Sequence, residues 1–173
     1  MQLTVCGLGG AGCRIADALA AAADHGPRSA VVDAVALDTD QRSLADLETI
    51  PEANRHLYGT LDASGRGFDG NRYRATEAAE EELTELFRAV DDCTSSRGDA
   101  FLLCTSLAGA TGATLLPKLA AELRSVYTEP IYGVGVLPET DRTETDDQQR
   151  RVANAGEAVD PVLSATDSLF AFD

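Results

Sequence analysis

Short apolar runs alternate along the chain with longer segments in which apolar residues recur every three or four positions. The short runs are typical of buried strands, and the longer segments are typical of helices packed on a sheet. Strands are predicted at residues 3–6, 34–37, 56–61, 100–105, 131–137 and 168–172. Helices are predicted at residues 11–23, 41–47, 76–90, 113–126 and 146–164. This alternation indicates an α/β fold, a Rossmann-like three-layer parallel sheet of about six strands with helices on both faces.

The helical segments carry more detailed expectations. One apolar face of the segment at 76–90 consists of Ala79, Leu83, Leu86, Phe87 and Val90. A proline lacks the amide donor that a helix interior needs, so we expect Pro117 in the first turn of its helix. For the same reason, Pro161 is expected to kink its helix or end it early.

Composition narrows the class of protein. The 173 residues contain no linker or repeat and fit a single domain. No apolar run reaches the ~18 residues of a membrane span, and the N-terminus lacks the pattern of a signal peptide. A cytoplasmic protein without direct membrane insertion is predicted.

The surface charge is strongly negative. The formal net charge is −15, and Lys118 is the only lysine among 14 basic residues. Such a surface repels nucleic-acid phosphate, so no nucleic-acid partner is predicted. An acidic, lysine-poor composition favours a halophilic source, and ordinary acidic solubility is the alternative.

Four cysteines, Cys6, Cys13, Cys93 and Cys104, share no C-x-x-C spacing. Neither a zinc site nor a disulfide framework is therefore predicted, and no metal ligands are assigned. Cys6 and Cys104 are expected to be core thiols, whereas Cys13 lies in a candidate binding loop.

Two strand ends carry candidate binding loops in the first part of the chain. Residues 7–14 read Gly-Leu-Gly-Gly-Ala-Gly-Cys-Arg after a strand and open a helix, so their amides could cradle a phosphate. The alternative is a tight turn without a ligand. Asp38-Thr39-Asp40 could face a ribose or a cation, or could simply cap a helix.

Two later loops have the same character. Residues 65–71 contain three glycines and Arg66, and could fold against a terminal phosphate or form a plain solvated turn. Residues 104–114 join a strand to a helix and could form a second anion-binding loop. Close packing of helix on sheet is the alternative for their small residues.

The order of these loops resembles the tubulin/FtsZ superfamily, as in a divergent FtsZ-like or CetZ-like member, over essentially the whole chain. Gly9–Gly12 resembles its first phosphate loop, residues 38–41 its Asn-Thr-Asp segment and residues 65–71 its γ-phosphate-sensing loop. Residues 106–114 stand where the family carries a Gly-Gly-Gly-Thr-Gly signature. Residues 132–138 resemble the strand ending in proline, and residues 167–172 the sixth strand.

The resemblance implies a guanine-nucleotide-binding domain of a cytoskeletal protein that acts in cell division, cell shape or filament regulation. The implied ligand is GTP or GDP, with Mg²⁺ as a candidate companion ion. The implied partner is a second copy stacked head to tail, or a related FtsZ-like protein. The implied nucleotide-binding residues are Gly9, Gly10, Ala11, Gly12, Cys13, Asp38, Asp40, Gly67, Ser106, Leu107, Ala108, Gly109, Ala110, Thr111, Gly112, Pro138, Asp147 and Arg151.

Several positions depart from the family pattern. Ala108, Ala110 and Thr114 stand where the family prefers glycine, and Cys13 and Asp38 replace asparagines. A Cβ disfavours positive φ and occupies space beside a phosphate, so weaker nucleotide binding is expected. The family's guanine-reading asparagine, central helix and catalytic loop do not follow Asp173. A fragment of a longer protein or a capping module is therefore expected, and no catalytic residue is assigned.

Two other functions remain open. An NAD(P)- or ATP-binding Rossmann-type enzyme fits residues 7–12, with Asp33 or Asp38 as the ribose acid, but no catalytic His, Tyr or Lys constellation is evident. A scaffold that has lost its ligand fits the alanines of the signature loop.

The charge generates a first prediction. Salt screens the self-repulsion of a −15 protein, so the midpoint of thermal unfolding should rise between 0.1 M and 2 M KCl. Differential scanning calorimetry measures it, and equal midpoints at the two salt concentrations would contradict the charge argument.

Overall fold

The computed structural model describes residues 1–23, 29–94, 98–139 and 145–173. Its six strands are all parallel and lie in one sheet in the order β3-β2-β1-β4-β5-β6. They are β1 (Leu3–Leu8), β2 (Val31–Asp38), β3 (Arg55–Leu57), β4 (Ala100–Ser106), β5 (Ile131–Val136) and β6 (Ser168–Phe172). The α/β prediction and the six predicted strands are confirmed.

Helices connect the strands. They are α1 (Gly9–Ala22), α2 (Gln41–Ala45), α3 (Thr60–Ala63), α4 (Arg72–Glu81), α5 (Leu83–Cys93), α6 (Thr111–Val126) and α7 (Asp146–Ala165), with a 3-10 turn at Glu52–Asn54. None of these helices is long and apolar enough to cross a membrane.

The core lies in two layers, one on each face of the sheet. Neighbouring residues of a strand point to opposite faces, so Cys6 belongs to the layer under α4 to α7, and Val5 belongs to the layer under α1. Cys104 lies in the second layer with Cys13. Cys6 and Cys104 are fully buried, which confirms both as core thiols.

The third strand is shorter than predicted. It ends at Leu57, and the chain turns at Gly59, whose φ of +64° is left-handed. The short helix α3 follows, where the sequence pattern predicted strand up to residue 61. A left-handed residue does not fit an extended strand, so this turn limits β3 to three residues.

The predicted helix at 76–90 is instead two helices that meet at Glu82. The backbone of Glu82 leaves the helical region, with φ −106° and ψ 10°, and its side chain accepts a 2.7 Å hydrogen bond from the amide of Gly59. The predicted apolar face is confirmed nonetheless, because its five residues are buried or packed against the core.

The expectation that Pro117 lies in the first turn of its helix is wrong, and Pro161 does not end its helix early. Pro117 is the seventh residue of α6, because that helix begins at Thr111, earlier than predicted. The helix α7 continues past Pro161 to Ala165. The burial of Leu119, Leu123 and Val162 on the core side of these helices favours continuation.

Asp17 of α1 organises the connection between α2 and β3. Its carboxylate accepts hydrogen bonds from the amides of Thr49 and Ile50, both at 2.8 Å, and of Glu48 at 3.1 Å. Partial burial would raise the pKa of this carboxyl, but the three backbone donors outweigh it and the pKa is lowered. The carboxylate form therefore stabilises the folded state.

A second prediction follows from Asp17. Asp17→Ala leaves three amides without their partner and should lower the free energy of unfolding by about 1–3 kcal/mol at pH 7. Because the folded pKa lies below the unfolded value of about 3.9, the stabilisation should be present above pH 4 and decline as the pH falls further. Urea unfolding at pH 7 and pH 3 measures both effects.

Asp160→Ala is the matched control, since it removes a carboxylate from an exposed position of α7. It should change stability by no more than about 0.5 kcal/mol. Equal losses in the two variants would contradict the role given to Asp17.

Candidate functional site

A cleft of about 400 Å³ opens where β1 and β4 end. A recess of about 510 Å³ adjoins it at the end of β2, and the two share lining residues such as Gly10, Asp69 and Thr111. The carboxyl ends of parallel strands are the usual ligand-binding edge of such a sheet. Parts of all four candidate loops line this combined cleft.

The four candidate loops are numbered in chain order: residues 7–14, 38–40, 65–71 and 104–114. The first loop places the start of α1 in the cleft. Gly9 begins the helix with a φ of +72°, a conformation that glycine adopts without strain. The residue before it, Leu8, offers no side-chain hydrogen bond to the first turn. The first amides of α1 are therefore free of a side-chain cap.

The fourth loop does the same for α6. This helix begins at Thr111, and the preceding residue, Ala110, offers no side-chain cap. By contrast, α2, α4 and α7 are capped by Asp40, Asn71 and Thr145. Two uncapped helix starts thus meet at one cleft, and their amides and dipoles favour an anion there.

Close packing explains two of the loop glycines. A Cβ on Gly12 would lie 2.0 Å from the carbonyl oxygen of Cys104, and one on Gly112 would lie 2.0 Å from that of Leu8. Gly109 is different, because its nearest neighbour to a Cβ would be 3.5 Å away. Gly12 and Gly112 bring helix and sheet together, whereas Gly109 lines the cleft.

Ala108 and Ala110 of the fourth loop, which stand where the family prefers glycine, do not strain its backbone. Among the described residues, Ser64 and Asp69 are the only non-glycines with positive φ, so Ala108 and Ala110 lie outside that region. Both methyl groups are largely buried. Thr114 is also buried, and its hydroxyl donates to the carbonyl of Ala110 at 2.8 Å. The conformational objection to these residues, stated from sequence, is wrong.

The third loop forms the opposite wall. Four of its residues have positive φ, namely Gly65, Gly67, Asp69 and Gly70, and so does Ser64 directly before it. Its position is fixed on one side by hydrogen bonds from the amide of Gly67 to the carbonyl of Thr39 and from the amide of Gln41 to the carbonyl of Gly65, both 3.0 Å. Asp69 and Gly70 line the cleft.

Arginines are concentrated at this cleft in an otherwise acidic protein. In the part of the chain that the structure describes, five arginines line it, namely Arg14, Arg42, Arg66, Arg150 and Arg151. Asp147 pairs with Arg150 and, at 3.5 Å, with Arg151. Asp147 and Arg151, two of the predicted nucleotide-binding residues, thus form an ion pair on the cleft wall. Five aspartates line the same cleft, namely Asp38, Asp40, Asp46, Asp69 and Asp147. The described lining is therefore balanced in formal charge, in a chain whose net charge is −15, and its arginines can donate to an anion.

Asp38 lies beneath the first loop and is only 2% exposed. One carboxyl oxygen accepts a 2.7 Å hydrogen bond from the amide of Thr39. The other oxygen and the hydroxyl of Ser43 both lack a partner of ordinary hydrogen-bond geometry among the described residues. Burial raises the pKa of Asp38 to about 6, although the Thr39 amide and the nearby Ser43 hydroxyl oppose the shift.

A hydroxyl contact joins the second loop to the fourth. The side-chain oxygens of Thr39 and Thr111 lie 2.9 Å apart. Thr39 is fully buried, and Thr111 lines the cleft. The two loops are therefore linked directly behind the start of α6.

Most of the predicted site residues line the combined cleft, namely Gly9, Gly10, Ala11, Asp38, Asp40, Gly67, Ser106, Ala108, Gly109, Ala110, Thr111, Gly112, Asp147 and Arg151. Gly12, Cys13, Leu107 and Pro138 are not among the lining residues. Cys13 is fully buried, and its thiol points to the carbonyls of Gly7 and Leu37.

Sequence reasoning missed Arg150 and Asn154, which line the cleft from α7. Their signal was the spacing from Asp147, since residues three, four and seven positions on share one helix face. Asp40 lines the recess and also caps α2 through a 2.9 Å hydrogen bond to the amide of Arg42. Among the described residues, no three acidic, histidine or cysteine side chains are arranged to hold a metal ion.

An open parallel sheet with two uncapped helix starts at its carboxyl edge defines an α/β protein of the anion-binding, nucleotide-binding type. The family described as "Tubulin/FtsZ family, GTPase domain" matches residues 2–173. The chain belongs to this family.

Individual relatives point to one branch. The tubulin-like protein CetZ5 of Haloferax volcanii is 37% identical over 173 residues, which is all of this chain and 43% of CetZ5. The structure of CetZ1 from Haloferax volcanii as a GDP-bound monomer has a TM-score of 0.89 and 32% identity, and it covers all of this chain and 51% of that one. The structure of CetZ2 from Haloferax volcanii as a GTPγS-bound protofilament has a TM-score of 0.87 and 29% identity, with coverages of 100% and 49%.

These findings bear on the sequence predictions. The resemblance to the tubulin/FtsZ superfamily is confirmed, and relatives from a halophile agree with the acidic, lysine-poor composition. The family match argues against the alternative of an NAD(P)- or ATP-binding Rossmann-type enzyme. Asp33, one of its ribose acids, is only the third residue of β2, far from the strand end that opens on the cleft.

A third prediction follows from the burial of Asp38. Its folded pKa of about 6 lies above the unfolded value of about 3.9, so folding becomes less favourable as the pH rises between these values and stays so above pH 6. Asp38→Asn removes this cost and should stabilise the fold by about 1–3 kcal/mol at pH 8. Below pH 4 the gain should vanish.

Thermal unfolding at pH 8 and pH 4 measures this difference. Asp46→Asn makes the same change of charge at an exposed position of the adjoining recess and is the control. A loss of stability in Asp38→Asn at pH 8, or an equal gain in Asp46→Asn, would contradict the argument from burial.

Proposed function

We propose that this chain is the guanine-nucleotide-binding domain of a tubulin-like cytoskeletal protein of the CetZ type, acting in control of cell shape or division. The observation that carries the proposal is the meeting of two uncapped helix starts, α1 and α6, at one arginine-lined cleft. Both the amides and the arginines are suited to the phosphates of a nucleotide.

Each wall of the cleft has its own part in binding. The first and fourth loops present amides to the phosphates, and the hydroxyl of Thr111 adds a donor. The third loop closes the far side with Asp69 and Gly70. Asp147 and Arg151 are proposed to flank the sugar from α7, and Mg²⁺ is proposed to accompany the phosphates.

The relatives support the choice of ligand. The matching structure of CetZ1 is a GDP-bound monomer, and that of CetZ2 is a GTPγS-bound protofilament. This chain has the same fold as CetZ1 and CetZ2, with TM-scores of 0.89 and 0.87. A guanine nucleotide is therefore the proposed ligand, in preference to NAD or ATP.

Assembly is proposed on the same basis. CetZ2 forms a protofilament, and head-to-tail stacking of one surface on a different one generates filaments. The chain spans 43% of CetZ5, so polymerisation and hydrolysis are proposed for a protein that also contains the family's central helix and activation domain. The partner is a second copy or a related tubulin-like protein. We also propose a cytoplasmic location for this protein, because GTP is available there.

A fourth prediction tests the ligand. Calorimetric titration in 2 M KCl with Mg²⁺ should show binding of GTP and GDP, and weaker binding of ATP and NAD. Arg14→Gln should weaken guanine-nucleotide binding about tenfold, because it removes a charged donor from the cleft wall. Thr111→Ala should weaken it as well, through loss of the hydroxyl that also contacts Thr39.

Arg88→Gln is the matched control, since Arg88 is exposed on α5 and outside the lining of the cleft. Tight NAD or ATP binding would replace the proposal with the Rossmann-type enzyme. The absence of any nucleotide binding by the folded chain would replace it with a scaffold that has lost its ligand.

A further inference from the structure

Asn154 of α7 is the one described side chain that bonds to both the third and the fourth loops of the cleft. Its side-chain nitrogen lies 3.2 Å from the carbonyl oxygen of Gly70 and 3.2 Å from that of Ala108. The residue is only 7% exposed, yet it lines the cleft. Both partners are acceptors, so the two hydrogens of the amide nitrogen are fully used.

The amide N–H groups of the same two peptide units also form hydrogen bonds. The amide of Asn71 donates to the carbonyl of Phe68 at 2.8 Å, and the amide of Gly109 donates to that of Ser106 at 3.2 Å. Asn154 therefore completes the fixation of one peptide group in each wall. The side chain of Arg150, also of α7, lies close to Gly70 as well.

The contact matters most for the third loop, because its backbone is strained. Asp69, immediately before Gly70, has a φ of +48°, and such conformations persist only where the surroundings hold them. Arg72 adds a weaker tie from the same side, with a 3.5 Å hydrogen bond to the backbone carbonyl of Asn154 and a 3.4 Å ion pair with Glu157.

We propose that Asn154 is a positioning residue that holds the third loop at a fixed distance from the fourth and thereby sets the width of the cleft for the nucleotide. Its effect on affinity rests on the proposed function. Its amide also neutralises two carbonyl oxygens that would otherwise present partial negative charge beside a polyanion.

Asn154→Asp tests this role with almost no change of shape. At neutral pH the introduced carboxylate has no donor and repels both carbonyls. Hydrogen exchange without nucleotide should then be about tenfold faster in residues 65–71 and in residues 106–110, and exchange in α1 should be unchanged. GTPγS and GDP should each bind about tenfold more weakly.

The pH dependence separates positioning from general destabilisation. When the introduced acid is protonated, it regains one donor, so protection relative to the wild type should partly recover towards pH 5. Asn154→Ala should lose protection equally at both pH values, and it serves as the second variant if Asn154→Asp does not fold. The charged groups that surround this part of the cleft are Arg14 of α1, Asp69 of the third loop, Arg72 of α4, and Asp147, Arg150, Arg151 and Glu157 of α7.

Gln149→Glu is the matched control, since it makes the same amide-to-acid change at an exposed position of α7. It should alter neither exchange nor affinity. Three outcomes would each overturn the proposal. The first is unchanged exchange in either loop, the second is the same pH response in Asn154→Asp and Asn154→Ala, and the third is unchanged nucleotide affinity despite faster exchange. If the wild type binds no nucleotide, the proposed function fails, and the exchange data alone decide whether Asn154 positions the loops.

Discussion

Contact between two backbones at the carboxyl edge of the sheet is the constraint on which the rest of the site depends. The start of α6 touches the end of β1, where a Cβ on Gly112 would meet the carbonyl of Leu8, and the start of α1 touches β4 in the same way through Gly12. Both contacts need glycine, since any side chain would displace a helix from the sheet. They bring two helix N-termini together, and the amides and dipoles of both then act on one volume.

This constraint gives the loop glycines two distinct duties. Gly12 and Gly112 provide packing, and Gly9 provides a positive φ, whereas Gly109 has space beside it. The alanines at positions 108 and 110 are therefore compatible with the loop, because neither position requires glycine for its backbone. The backbone argument against these two alanines therefore does not apply, whereas the carboxyl of Asp38, another departure from the family pattern, is buried and has a raised pKa.

The fold and the strand-end loops could be predicted because they depend on local signals. Alternating apolar runs marked all six strands, and the glycines after β1 and β4 marked the binding loops. The break at Glu82 and the course of α6 through Pro117 could not be predicted, since both depend on tertiary contacts: the bond from Gly59 to Glu82 and the burial of the helix on the sheet. The burial of Cys13 also depends on packing, because its position in a glycine-rich loop did not indicate where its side chain points.

The contribution of α7 to the site was the hardest to foresee, and it changes how the cleft is understood. Asp147, Arg150, Arg151 and Asn154 lie on one face of this helix, and that face closes the cleft beside the third loop. The amide groups at the starts of α1 and α6 are fixed by the sheet. The strained third loop is held on one side by backbone hydrogen bonds to residues 39–41 and on the other by the side chain of Asn154. Its distance from the fourth loop depends on the amide of Asn154, which bonds to both loops, so a single substitution at this position should adjust this wall of the cleft.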